Sequence, residues 1–313
     1  MIQMRIGIIG RTEILYEAVE LLVNSGYEVC IIFTAKESPE YKKTAEDFKI
    51  LAKKLNIPYH ISAQINKEEY VREFKSLNLD LGISMNYINV ISEEVINSFR
   101  LGVLNAHAGD LPKYRGNACQ AWALINGEDK IGLCIHQMVG GELDSGDIIS
   151  RDYLDVNINT KITEVIKWMY NRIPNLFLDA ANKLSENSKY VLEVQSKDPK
   201  DILRGYPRKP EDGEINWNDS AETILRLINA CNKPFYGAFC DYEGKELKIW
   251  DAELLEDGEN FLATPGQVAL CDRVTGSVTV ICGEGKLKIN EIEIEGQVST
   301  PIKRIKSIRK RLK

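Results

Sequence analysis

Short apolar runs alternate with helical spacings along the first half of this chain. Arg5-Ile6-Gly7-Ile8-Ile9-Gly10 is a compact apolar run, a helical spacing through Ala18, Leu21 and Leu22 follows it to a stop at Gly26, and Glu28 to Thr34 is apolar again. A strand, a helix and a strand at this spacing make a βαβ unit, with parallel pairing and a right-handed crossover. The pattern recurs: residues 41–55 and 67–77 have helical spacing, and 79–85, 102–105, 131–139 and 147–156 read as further strands. From Lys161 to Leu184, Ile162, Val165, Ile166, Met169, Ile173, Leu176 and Phe177 recur near helical spacing, a stripe suited to packing on a sheet. The fold class expected is α/β, a doubly wound, mostly parallel, Rossmann-like sheet.

The pattern changes after residue 196. Lys, Asp, Pro and Gly dominate as far as Gly213, with Pro199, Pro207 and Pro210 among them, as in an interdomain connection. Expected boundaries are a first domain over residues 1–200, a linker over 201–213 and a smaller domain over 214–313. That last part reads as one helix, Ala221 to Ala230, followed by short strands at 237–242, 247–254, 266–270, 278–282 and 287–294. Many short strands in so small a span predict a closed or half-closed β-barrel, OB-like in size.

Composition narrows the function classes. No apolar stretch approaches the roughly 20 residues of a membrane helix, and the N-terminal apolar run lacks the length and cleavage site of a secretion signal, so the expectation is a cytoplasmic protein with no membrane partner. The seven cysteines are scattered without a Cys-x-x-Cys pair, so no metal is expected, and they read as small buried hydrophobes in a reducing compartment. A formal net charge of −6 argues against a nucleic-acid partner. The dense basic run from Lys303 to Lys313 is expected to be a solvated helix end or frayed tail. Gly7-Ile8-Ile9-Gly10 lacks the full dinucleotide fingerprint and reads as a turn at the end of a strand.

Candidate chemistry concentrates in two stretches. Asn105-Ala106-His107 follows the apolar strand at Leu104, where open α/β sheets place their ligands. Side chains two apart on extended chain share a face. The second stretch passes from a strand containing His136 into Gly140-Gly141-Glu142-Leu143-Asp144-Ser145-Gly146. Its glycines permit a tight return that can carry Asp144 over the strand ends. An amide, an imidazole and a carboxylate form a set suited to acyl transfer onto an amine. Asn105 can donate to a developing oxyanion, His107 can move a proton, and Asp144 can orient the ring and favour its charged form. His136 reads as structural or substrate-orienting, and His60 as packing.

Asn105-x-His107 with Leu111-Pro112-Lys113-Tyr114-Arg115-Gly116, and later Leu143-Asp144-Ser145-Gly146-Asp147-Ile148-Ile149, resembles the signature of the folate-dependent formyltransferases. Lys209-Pro210-Glu211-Asp212-Gly213 and Lys233-Pro234-Phe235-Tyr236-Gly237-Ala238 are similar to the linker and second domain of that family's tRNA and sugar branches. The resemblance implies that Asn105, His107 and Asp144 are catalytic and that N10-formyltetrahydrofolate is the donor. It further implies that Asn89, Val90, Ile91, Asn117, Val139 and Gly140 line the folate pocket. Two departures stand out: the chain reads Ala108-Gly109-Asp110-Leu111-Pro112 after His107 where Ser-Leu-Leu-Pro is usual, and the loop from Val139 to Asp144 is one residue longer.

Among acceptors in this family, a small one suits the acidic second domain, whose acidic residues run from Glu211 and Asp212 to Glu256, Asp257 and Glu259. The expectation is a UDP- or dTDP-linked amino sugar, with its amine at C4 or C3 and its product used in surface polysaccharide. Arg11, Asn86 and Tyr87 are the candidate sugar contacts by position. Methionyl-tRNA is the alternative acceptor, and a non-catalytic folate- or nucleotide-binding module the alternative outside enzymes. Association as a homodimer is left open.

Overall fold

A computed structural model describes residues 4–39, 41–255 and 258–313; Glu256 and Asp257 of the acidic stretch lie outside the described residues. The first elements are β1 (Arg5–Gly10), α1 (Glu13–Asn24), β2 (Glu28–Thr34), α2 (Ala45–Leu55), β3 (Tyr59–Ile61), α3 (Glu68–Ser76), β4 (Leu81–Met85) and α4 (Glu93–Ile96). There follow β5 (Val103–His107), β6 (Arg115–Gly116), α5 (Cys119–Asn126), β7 (Lys130–Gln137), β8 (Ile148–Asp155) and α6 (Ile162–Glu186). The remainder comprises β9 (Arg204–Gly205), α7 (Ala221–Ala230), β10 (Ala238–Tyr242), β11 (Lys245–Leu254), β12 (Val268–Cys271), β13 (Val278–Ile281), β14 (Lys286–Ile294) and β15 (Gln297–Ser299).

The larger sheet has the order β3-β2-β1-β4-β5-β7-β8. The chain starts in mid-sheet, winds outward to β3 and returns to β4, so the winding reverses between β1 and β4. Those strands pair in parallel with their neighbours, whereas β7 runs antiparallel to β5. Ile6, Ile8 and Ile9 are all buried, as expected for a parallel strand covered on both faces. Gly10 lets β1 end against β4: its φ is 137°, and a Cβ there would stand 2.0 Å from the Met85 carbonyl oxygen. Helix α6 buries Ile162, Val165, Ile173 and Phe177 as its stripe requires.

The described chain divides into two compact units, residues 1–116, 132–153 and 168–204 in one and 117–131, 154–167 and 205–313 in the other. The second unit holds an antiparallel sheet of order β10-β11-β14-β13-β12, with β15 on β14. One face of α7 (Ile224, Leu225, Ile228) joins Leu247, Ile249, Val278, Val280, Leu287 and Ile292 in its core.

The basic C-terminal run corrects the expectation of a frayed tail. Asp241 and Lys313 exchange backbone hydrogen bonds of 2.8 and 2.9 Å, Val268 N–H donates to the Lys310 carbonyl at 3.1 Å, and Leu312 N–H donates to that of Gly266 at 2.9 Å. The last residues therefore lie between the two outer strands, β10 and β12, and close the sheet. Ile305 and Leu312 are buried. Composition misled because backbone pairing is indifferent to side-chain charge, which points outward here: Lys310 pairs with Glu243.

Candidate active site

Strand β5 supplies the first two polar groups. Ser84 of β4 pairs with Asn105, so His107 extends past the last residue of β4, at the carboxyl edge. The antiparallel register of β7 places His136 opposite Asn105 and Cys134 opposite His107. Strand β7 thus travels back along β5, and the loop after it starts beside Leu104, which Gln137 opposes. To reach His107 that loop must fold back. It does so through Gly141 at φ 77° and Asp144 itself at φ 52°, a left-handed conformation that Asp tolerates better than most residues. At Gly146 a Cβ would meet the Gln137 carbonyl oxygen at 1.9 Å.

The three expected side chains come together with a fourth. His107 Nδ1 lies 3.5 Å from Asp144 Oδ2, and His136 Nε2 lies 3.5 Å from Asp144 Oδ1. Asn105 Nδ2 is 3.3 Å from His136 Nε2. Gly116 N–H donates to Asp144 Oδ2 at 2.8 Å. His107, Asp144 and His136 are 7, 8 and 2% exposed, while Asn105 is half-buried. On the far side of the imidazole, His107 Nε2 is 2.6 Å from the Tyr114 carbonyl oxygen. That contact needs Gly109, since a Cβ there would stand 2.4 Å from the same oxygen and 2.6 Å from His107 Nε2.

Charge follows from burial and partners. Desolvation lowers the pKa of His107 and outweighs the pull of Asp144 in the other direction, so burial, not the carboxylate, decides the resting state: a neutral ring. Asp144 does favour the charged form, as expected, but burial outweighs it. Desolvation would raise the Asp144 carboxyl, but the His136 and His107 rings and the Gly116 N–H more than offset it and hold it at about 2. A neutral imidazole beside an anionic carboxylate is a proton acceptor whose charged form has a waiting counterion.

The altered turn after His107 has its own anchor. Asp110 accepts from Arg151 and, at 2.9 Å, from the Tyr153 hydroxyl. Arg151 also donates to the Leu111 carbonyl at 2.6 Å and pairs with Glu193 at 3.0 Å. On the Asp144 side, Gln195 donates to the carbonyls of Asp144 at 3.0 Å and Gly146 at 2.5 Å and accepts from Arg115 Nη2 at 2.8 Å.

Residues 4–180 match the model of the formyl transferase family, and residues 208–308 match the model of the formyl transferase C-terminal domain. This chain belongs to the formyl transferase family. It is a folate-dependent formyl-transfer enzyme. Over 300 residues the formyltransferase is 29% identical to a methionyl-tRNA formyltransferase of Rickettsia bellii, covering 94% of this chain and 93% of that protein. In fold it is similar to the Helicobacter canadensis N-formyltransferase solved with folinic acid and dTDP-3-aminofucose, with a TM-score of 0.67, 16% identity and coverage of 92% of this chain and 99% of that one. It is also similar to HypX from Aquifex aeolicus solved with tetrahydrofolic acid, with a TM-score of 0.62 and 16% identity over 96% of this chain. The chain spans about half of HypX, 46% of its length.

The remaining candidate residues of the formyltransferase fall in several places. Gly140 packs on the start of α4, where a Cβ would stand 2.7 Å from the Glu93 Cα, so the loop carrying Val139 and Gly140 adjoins the segment carrying Asn89 and Val90. Val90 and Val139 expose apolar side chains, at 69 and 40%. Asn89 donates to the Ala63 carbonyl at 2.6 Å, and the Ile91 side chain is core. Asn117 lies in the second compact unit and its N–H donates to the Gly205 carbonyl at 2.9 Å.

Arg11 and Asn86 meet at the ends of β1 and β4, where Arg11 Nε donates to the Asn86 carbonyl at 2.9 Å. Tyr87 is committed elsewhere: its hydroxyl donates to the Ser62 carbonyl at 2.8 Å and accepts from Ile65 N–H at 3.2 Å. Sequence reasoning left Gln195 unmarked, because it sits in a polar connection without periodicity. For His136 the signal was present: a histidine inside an apolar strand needs partners for both ring nitrogens.

Proposed function

We propose that this formyltransferase moves the formyl group of N10-formyltetrahydrofolate onto the primary amine of a small nucleotide-linked amino sugar, and that Asn105, His107 and Asp144 carry the chemistry. The observation carrying this reading is the convergence of a neutral buried imidazole, an amide donor and an ionised carboxylate at the carboxyl edge of the sheet. The carrier supplies an activated formyl carbon. Asn105 donates to the oxyanion that forms there as the amine attacks. With its Nε2–H directed to the Tyr114 carbonyl, His107 keeps a lone pair at Nδ1, which takes the amine's proton and returns it to the departing N10. Asp144 stabilises the imidazolium between those steps. One C–N bond forms and one breaks, with one proton passing from the amine to the carrier.

The adjoining segments around Val90 and Val139, apolar and open, suit the flat ring of a pterin. A net charge of −6 favours a small acceptor over an RNA backbone. The nucleotide is UDP or dTDP, and Arg11 with Asn86 at the winding reversal is the place where it is expected to be held. The likeness to a methionyl-tRNA formyltransferase along nearly the whole of both chains favours a second reading, with charged tRNA as acceptor. Purified protein and formylfolate, incubated separately with a panel of UDP- and dTDP-linked amino sugars and with charged initiator tRNA, decide between them by mass gain. The sugar reading predicts a formylated sugar, and formylation of the tRNA alone overturns it.

A further inference from the structure

We propose that His136 is a positioning residue for Asn105, fixing which end of its amide faces the reacting carbon; this rests on the oxyanion role just given to Asn105. His136 stands directly opposite Asn105 in the antiparallel pair of β5 and β7, among the buried side chains of Leu133, Cys134 and Ile135, and is itself 2% exposed. Its Nδ1 is 2.8 Å from the Gln137 carbonyl oxygen. A carbonyl only accepts, so Nδ1 carries a proton, and in the neutral ring Nε2 then keeps a lone pair. That lone pair faces Asn105 Nδ2 at 3.3 Å, closer than the Asp144 carboxylate at 3.5 Å.

The consequence is directional. An amide has a donor end and an acceptor end of nearly the same shape, and an acceptor at Nε2 selects the donor end. One N–H of Asn105 Nδ2 is then held by His136, and the second N–H of the same nitrogen is left to donate. Without that partner the amide can turn its oxygen toward the developing negative charge, which repels where it should stabilise. His136 touches neither the folate nor the amine in this scheme, and the effect on turnover assigned to it passes through Asn105, apart from its 3.5 Å approach to Asp144.

The test is a double-mutant cycle read by kinetics. His136→Leu keeps the volume and removes the acceptor. It is expected to lower kcat about 30-fold, leave KM for the folate within about twofold and leave Tm near that of the parent. In His136→Gln the side-chain oxygen reaches about where Nε2 stood, and it is expected to recover most of that loss. In an Asn105→Ala background His136→Leu should have no further effect on kcat. The proposal is overturned if His136→Leu stays within threefold of the parent, if His136→Gln is no better than His136→Leu with both proteins folded, or if the two losses multiply. Asn105→Ala alone separates the two readings. Should it retain turnover, the catalytic scheme itself fails, whereas its collapse beside an active His136→Leu defeats only the positioning role.

Discussion

The end of β5 and the core of the C-terminal sheet hold their side chains by opposite means. In the C-terminal unit, Ile, Val and Leu from α7 and four strands fill a common interior, and the closing segment is held by backbone bonds beside the buried Leu312. Such packing is forgiving of detail as long as volume and apolarity persist. At the end of β5, buried polar groups depend on exact approach: His107 on a carbonyl that only a glycine at 109 admits, and Asp144 on a loop that doubles back through residues at positive φ. One region is stabilised by area and the other by directed contacts, so mutation should separate stability from turnover.

The largest effect expected is on turnover alone. His107→Ala should reduce kcat about 1,000-fold, with folate binding by titration and Tm close to the parent; a loss under about tenfold would remove His107 from the chemistry. Leu312→Ala is the converse. Deleting a buried leucine should cost about 3 kcal/mol, seen as a lower urea midpoint for the C-terminal unit, while kcat of folded enzyme holds within about threefold. Equal losses in both properties would show that the two regions are not separable in this way.

Gly109→Ala sharpens the contrast at the active site. The added methyl must push His107 or Tyr114 aside, and a displacement of about 1 Å lowers kcat about 100-fold, with a smaller change in Tm. An unchanged kcat would mean that the loop relaxes freely. The smallest effect is on pH. Burial lowers His107 from its ordinary 6.5, so the neutral, active ring persists at and somewhat below pH 6.5, and the acid limb of kcat/KM falls below that value. An acid limb above pH 6.5 would show the carboxylate prevailing over burial.

Much of this was legible because two periodicities are strong. The period of two that puts Asn105 and His107 on one face, and the helical stripe of α6, both follow from backbone geometry alone. The direction of β7 was not legible, since an apolar strand reads the same whether it pairs parallel or antiparallel. That direction decides that His136 faces Asn105 and that the Asp144 loop must return across β5. The contacts of Gln195 were hidden for a related reason: a polar residue in a connection gains its role only from what the folded chain brings beside it. The resting charge of His107 depended on burial that no local pattern reports.

The pairing of Asn105 with His136 carries a further consequence for how this enzyme can vary in length. Successive side chains of a strand point to opposite faces, so removing or adding one residue within β7 ahead of His136 would bring Ile135 or Gln137 opposite Asn105 and turn the imidazole to the other side of the sheet. Indels are therefore excluded from β7 far more strictly than conservative replacements. The stretch between Gly140 and Asp144 lies outside the strands, so a change of length there would leave the register of β5 and β7 intact and act on Asp144 instead.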